Sequence, residues 1–165
     1  MTTEGKTPLT PTMPAALKAH PGMTVWEAIA LLARQSPFTK EKVETALGVE
    51  LVAPEDAGNE FFAFYRQSRE LALASGALHA IDLRVQRGGG PGFLLVHLRG
   101  ACIALEAVRE HYPVLHITDM PRGRSLDEAT TYSSTDRWGK LSFMFGERDP
   151  ACLARIAFAP AAAAR

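Results

Sequence analysis

Six large apolar residues recur sixty positions further along the chain. Ile81, Leu83, Val85, Phe93, Val96 and Leu98 are matched by Leu141, Phe143, Phe145, Leu153, Ile156 and Phe158. A turn-rich stretch splits each set, Gly88-Gly89-Gly90-Pro91-Gly92 in one and Gly146-Glu147-Arg148-Asp149-Pro150 in the other. Alternation at period two places Ile81, Leu83 and Val85 on one face of a strand. Recurrence at a fixed separation names a repeated supersecondary unit. The pattern therefore predicts two β-hairpins on a duplicated scaffold, although in a chain that is 47% hydrophobic two hairpins can also match in phase by accident.

Local signals fill in the rest. Pro8, Pro11, Pro14 and Pro21 stand among threonines, so residues 1–22 read as a tail. A single α+β domain is expected over residues 23–160. Thr24 with Glu27 forms a capping box before Val25, Ile29 and Leu32, which recur at helical spacing to about Gln35. Ser36-Pro37 breaks that helix. Thr39 caps a second, with Phe38 and Val43 placed as a hydrophobic staple and Gly48 as its C-terminal stop.

Strands are predicted over residues 49–52, 61–67, 78–87 and 93–98. A third helix is expected over residues 101–111, stopped by Pro113, and further strands at 114–118, 130–135, 139–146 and 151–158. The polar connection 119–129 reads as a surface loop. The fold class is thus α+β. Two helix-plus-antiparallel-meander units, about 38–98 and 100–158, form one large antiparallel sheet with short helices on one face.

The run from Phe38 to Gly48 (Phe-Thr-Lys-Glu-Lys-Val-Glu-Thr-Ala-Leu-Gly) resembles the start of the small outer-membrane assembly lipoprotein domain, the SmpA/OmlA type. A tandem pair of such units resembles the β-lactamase inhibitor protein fold. The second unit departs from the pattern, with Ala107 where Leu47 predicts a large residue and no glycine after it. The resemblance implies protein binding rather than catalysis.

Eighteen basic and eighteen acidic residues leave no net charge. That argues against nucleic-acid or membrane-surface partners, which positive potential attracts. No stretch reaches the roughly 20 apolar residues of a membrane span. A cytoplasmic location is expected, or a periplasmic one if a signal segment has been removed. Cys102 and Cys152 form no metal-ligand pattern; in the cytoplasm they read as two reduced thiols, and the alternative is a disulfide, which implies an oxidising compartment.

Catalytic motifs are missing from the sequence. The glycine run lacks a following Gly-Lys-Ser/Thr and leads into a strand, so it reads as a turn rather than a phosphate loop. The histidines form no ligand pair, and His79 falls in phase with Ile81 and Leu83 at the core edge. No metal, cofactor or catalytic residue is assigned.

The informative region is the sheet face turned away from the helices. Phase puts Asp82, Arg84, Phe93, Leu95, His97, Met144, Leu153 and Arg155 there, with Tyr132 and Trp138 near a turn as further anchors. Aromatic residues, Met and Arg together are the composition of interface cores. The expected function is stoichiometric binding of another protein, as an inhibitor or immunity protein that occludes a bacterial toxin or enzyme. The alternatives are a small-ligand-binding protein or enzyme with the face as pocket floor, a secretion or assembly adaptor, and a homodimer using the same face.

Overall fold

The first helices form where the caps place them. The Thr24 hydroxyl accepts from the Glu27 amide while the Glu27 carboxylate accepts from Thr24, starting α1 (Val25–Ala33). Thr39 accepts from the Lys42 amide to start α2 (Lys40–Leu47), which ends on Gly48 in the left-handed conformation, φ 66°. Only glycine adopts that conformation without a Cβ penalty. The computed structural model describes residues 19–55, 57–67 and 69–162. Residues 1–18 of the expected tail lie outside the described residues. The Ala19 amide bonds the Ala46 carbonyl at 2.7 Å, and Met23 is buried.

The strands are β1 (Phe62–Gln67), β2 (Leu71–Ala72), β3 (Ala77–Gln86), β4 (Phe93–Arg99), β5 (His116–Asp119), β6 (Ala129–Asp136), β7 (Gly139–Gly146) and β8 (Leu153–Pro160). Between β4 and β5 lies α3 (Leu105–His111). One eight-stranded sheet runs in the order β1-β3-β4-β8-β7-β6-β5, with β2 paired to the start of β3. Every pairing is antiparallel. The architecture is therefore α+β, with one large antiparallel sheet and, among the described residues, three short helices.

Two apolar rungs cross the sheet and carry the core. One runs Tyr65–Leu83–Leu94–Phe158–Leu141, and the other Ile81–Val96–Ile156–Phe143–Tyr132. Leu83, Leu94, Val96, Ile156, Phe143 and Phe158 are all buried, in one cluster with Ile29 and Leu32 of α1, Val43 and Leu47 of α2 and Val108 of α3. Phe38 meets Phe158 edge-on at 6.3 Å, and Tyr112 packs on Phe143 at 5.1 Å. These contacts place the helices on that face. Gly92 closes the β3–β4 hairpin at φ 74°, where a Cβ would lie 2.7 Å from the Arg84 carbonyl oxygen. The tight approach lets the Phe38 amide bond the Pro91 carbonyl at 3.0 Å.

The structure differs from the sequence reading in several places. A strict sixty-residue copy would pair Leu141 with Ile156, as Ile81 pairs with Val96. Instead Leu141 faces Phe158 and Ile156 faces Phe143, so the two hairpins differ in register. Residues 49–52 form no strand; Val52 makes one isolated bridge to Arg66. Helix α3 starts at Leu105 rather than 101, with no side-chain cap on Ala104. The preceding segment is held extended, because the Leu153 amide bonds the Ile103 carbonyl at 2.8 Å. A bulge between Leu78 and Ala80 reverses the phase of His79. Leu78 takes the core position, and His79 pairs at the surface with Glu70 at 3.1 Å.

Cys102 and Cys152 are joined in a disulfide across a sequence separation of 50, which overturns the expectation of two reduced thiols. The choice between thiols and disulfide depends on tertiary structure, because the two residues come close only when the α3 entry lies beside the start of β8.

Two outcomes follow from the core and its clip. Phe143→Ala and Leu83→Ala should each lower stability by about 2–5 kcal/mol, read as a fall in the urea midpoint, since both side chains are fully buried. Unfolded protein kept from reductant should show no titratable thiol, and Cys102→Ala with Cys152→Ala should destabilise by about 2–4 kcal/mol.

Candidate functional site

The face opposite the helices is built by the other half of each strand's alternation. One rung carries Arg66, Asp82, Leu95, Ala157, Ser142, Ser133 and His116 in register. A second carries Phe64, Arg84 and Phe93, and a third His97, Arg155, Met144, Thr131 and Asp119. Among the described residues no helix packs on this side. Asp82, Arg84, Phe93, Leu95, His97, Met144 and Arg155 all lie here, as their phase predicts. Leu153 does not. A bulge between Met144 and Phe145 makes Leu153 pair with Phe145, and it is buried in the core. Tyr132 and Trp138 pack on the helix side instead, Tyr132 edge-on to Phe145 at 5.7 Å and Trp138 against Phe158 at 6.3 Å.

The face has two halves of different character. Over β1, β3 and β4 the side chains are large. The Arg84 guanidinium lies 5.1 Å from the Phe64 ring centre and 5.7 Å from that of Phe93. A weakly hydrated planar cation between two rings is held by quadrupole attraction and by apolar contact at once. Beside it, Asp82 accepts from Arg66 Nε at 3.1 Å and lies 3.0 Å from His97 Nε2. That carboxylate is thereby shared between two basic groups.

Over β5 to β8 the side chains are small. A chain of hydroxyls runs from Thr118 to Ser133 at 2.7 Å and on to Ser142 at 2.8 Å. Ser133, Ser142, Thr131 and Ala157 are buried between taller neighbours. These hydroxyls satisfy one another, which is what allows polar groups to be buried there.

The connection between β5 and β6, residues 120–128, folds over the end of this half. It is held mainly by Glu128, whose carboxylate accepts the backbone amides of Arg122, Arg124 and Ser125. Those amides, the Arg122 amide foremost, hold the Glu128 carboxyl below its usual range. Asp127 pairs with Arg148 at 3.0 Å, and its carbonyl accepts from Arg155 Nη2 at 3.3 Å. Beneath the connection lies an open cleft of about 380 Å3 lined by Arg122, Glu128, Thr131, Met144 and Arg155. A second, of about 660 Å3, lies on the other side of Arg155, between His97, Arg99, Arg148 and the disulfide. Arg155 therefore stands between two clefts.

Sequence reasoning missed Phe64, Arg66 and Arg148. Alternation within residues 62–67 was the available signal for the first two, since Tyr65 and Gln67 take the core side. Nothing local marks Arg148, whose role depends on the distant Asp127. Among the described residues, no group of three or more His, Cys, Asp or Glu is placed to hold a metal ion. No helix among the described residues is long and apolar enough to cross a membrane. No protein-family model, curated protein or solved structure matches the chain.

The Glu128 geometry sets a pH dependence for the 120–128 connection. Because folding lowers the Glu128 pKa, its ordering contribution is complete above the ordinary carboxylate range and is lost as pH falls through the lowered value. Protection against amide hydrogen exchange at Arg122, Arg124 and Ser125, taken relative to the intrinsic rate at each pH, should fall on acidification, and Glu128→Gln should show the lowered protection already at neutral pH.

Proposed function

We propose that the chain binds another protein through the sheet face that carries no helices among the described residues. The Phe64–Arg84–Phe93 stack is the observation that carries this reading. Aromatic rings and an arginine held in one fixed geometry at the open side of a sheet match the composition of interface anchors. Residues 38–98 and 100–158 act in this proposal as two units that contribute to one face through the β4–β8 pairing. The clefts beside Arg155 are open to solvent rather than closed around a ligand-sized volume, which supports a protein partner over a small molecule.

The concrete form of the proposal is an inhibitor or immunity protein that occludes a bacterial toxin or enzyme. The resemblance of residues 38–48 to the small assembly lipoprotein domain, and of the tandem arrangement to the β-lactamase inhibitor protein fold, supports it by analogy of architecture. The disulfide fits an oxidising compartment better than the reducing cytosol, so we place the encounter outside the cytoplasm.

Full-length protein immobilised as bait tests the reading. A partner retained from the source cells should be lost with Arg84→Glu and with Arg155→Glu, while the melting temperature barely moves. Exposed charges contribute under about 1 kcal/mol to folding, whereas a reversed charge at a desolvated contact costs far more. Added in stoichiometric amount, the wild-type chain should abolish the partner's activity. Undiminished retention by both variants would place the interface off this face.

A further inference from the structure

The residues 120–128 connection adds a second, chemically distinct element to the same side of the molecule. Its backbone is pinned at several points, by the Glu128 carboxylate and by the Glu147 amide, which bonds the Glu128 carbonyl at 2.9 Å. Its apolar side chains nevertheless point outward. Met120 is 59% exposed and Leu126 58% exposed. A rigid backbone presenting Met and Leu to solvent has little conformational freedom left to lose on docking. Arg155 and Met144 line the cleft beneath it, so the connection borders the open face.

The charges on this side are not balanced as they are in the chain as a whole. The acidic groups of the connection are already engaged: Glu128 by backbone amides, Asp127 by Arg148, and Asp119 by the Met120 amide. Among the described residues, neither Arg122 nor Arg124 forms a salt bridge. Arg84 lies between rings, and Arg155 bonds a carbonyl. Among the described residues, four arginines that form no salt bridge, Arg122 acting on Glu128 only at longer range, thus share one side of a chain whose formal net charge is zero.

We infer that the partner, on the protein-binding reading above, is an acidic protein with an apolar pocket. The pocket receives Met120 and Leu126, and the carboxylates around it face Arg122, Arg124, Arg84 and Arg155. Complementary charge sets orientation and encounter rate, while the inserted apolar groups slow release. A nucleic acid fits less well. Arg84 lies between the two phenyl rings and takes up the ring faces turned toward it, which reduces the platform on which bases stack.

The test uses the full chain and three probes: a short peptide alternating glutamate with leucine, its glutamine counterpart, and an oligothymidylate of matched length. Binding is followed by fluorescence anisotropy and by NMR shifts of the Met120 and Leu126 methyl groups. The acidic peptide should bind about tenfold more tightly than the glutamine peptide, with affinity falling as salt rises. The two methyl groups should shift. Arg122→Glu combined with Arg124→Glu should remove that advantage without changing the melting temperature, and Met120→Ser should weaken binding by about tenfold.

Equal binding of both peptides, or an oligothymidylate preferred over either, would overturn the inference. Shifts confined to the Phe64–Phe93 row would overturn it too. That result would leave the open face standing as a binding surface, and retention by Arg84→Glu bait would separately decide that reading.

Discussion

The seam between β4 and β8 is the constraint on which the rest of the structure depends. Each hairpin is local in the chain, but the sheet becomes continuous only where Leu94 meets Phe158 and Val96 meets Ile156. Neither half has a sufficient floor for the helices alone. The rungs joined at the seam supply the surface on which Phe38 and Tyr112 pack. Burial of Leu94, Val96, Ile156 and Phe158 at the seam is worth about 1.5–3 kcal/mol each, gathered from segments some sixty residues apart. The same register fixes the opposite face, since Leu95–Ala157 and His97–Arg155 alternate with the core pairs. A slip of one residue would exchange the two faces and drive Arg155 into the core. Core packing and the placement of the open face are therefore one specification.

Much of this was legible in the sequence, and the failures share a cause. The capping box at Thr24, the Thr39 cap and the Gly48 stop depend on neighbours within a few residues, and they form as read. The alternation in 93–98 sorts Phe93, Leu95 and His97 from Leu94, Val96 and Leu98 without reference to anything distant. Period-two reasoning fails at bulges. One extra residue at 78–80 moves His79 to the surface, and another beside Met144 moves Leu153 inward. A bulge is chosen by the partner strand's register, which single-strand patterning cannot contain. The disulfide, the Asp127–Arg148 pair and the shortened α3 depend likewise on contacts between remote segments.

The open face also shows how a neutral chain acquires local polarity. Glu128 contributes a negative charge to the composition, but its oxygens accept from three amides whose dipoles oppose its field. Asp82 is shared between Arg66 and His97. Arg84, by contrast, keeps its full charge while its apolar surface is covered by rings. Counting charged residues therefore misjudges the potential a partner meets, and hydrogen bonding decides which charges remain available.

The irregularity in β5 has a consequence for how copies of the molecule behave together. The outer edge of β1 is covered in part, because Val52 exchanges backbone bonds with Arg66 at 3.0 and 2.7 Å. The outer edge of β5 carries no such cover among the described residues, and Ile117 there is 53% exposed. A flat edge of that kind would template strand addition and fibre growth. The strand has only four residues, and a bulge between Ile117 and Asp119 spoils the regular spacing of donors and acceptors that an incoming strand needs. The extra residue, Thr118, turns its hydroxyl inward to Ser133, so the defect is held in place by the hydroxyl chain of the open face. The polar network that fills one half of the face thus also terminates the sheet, guarding against end-to-end polymerisation.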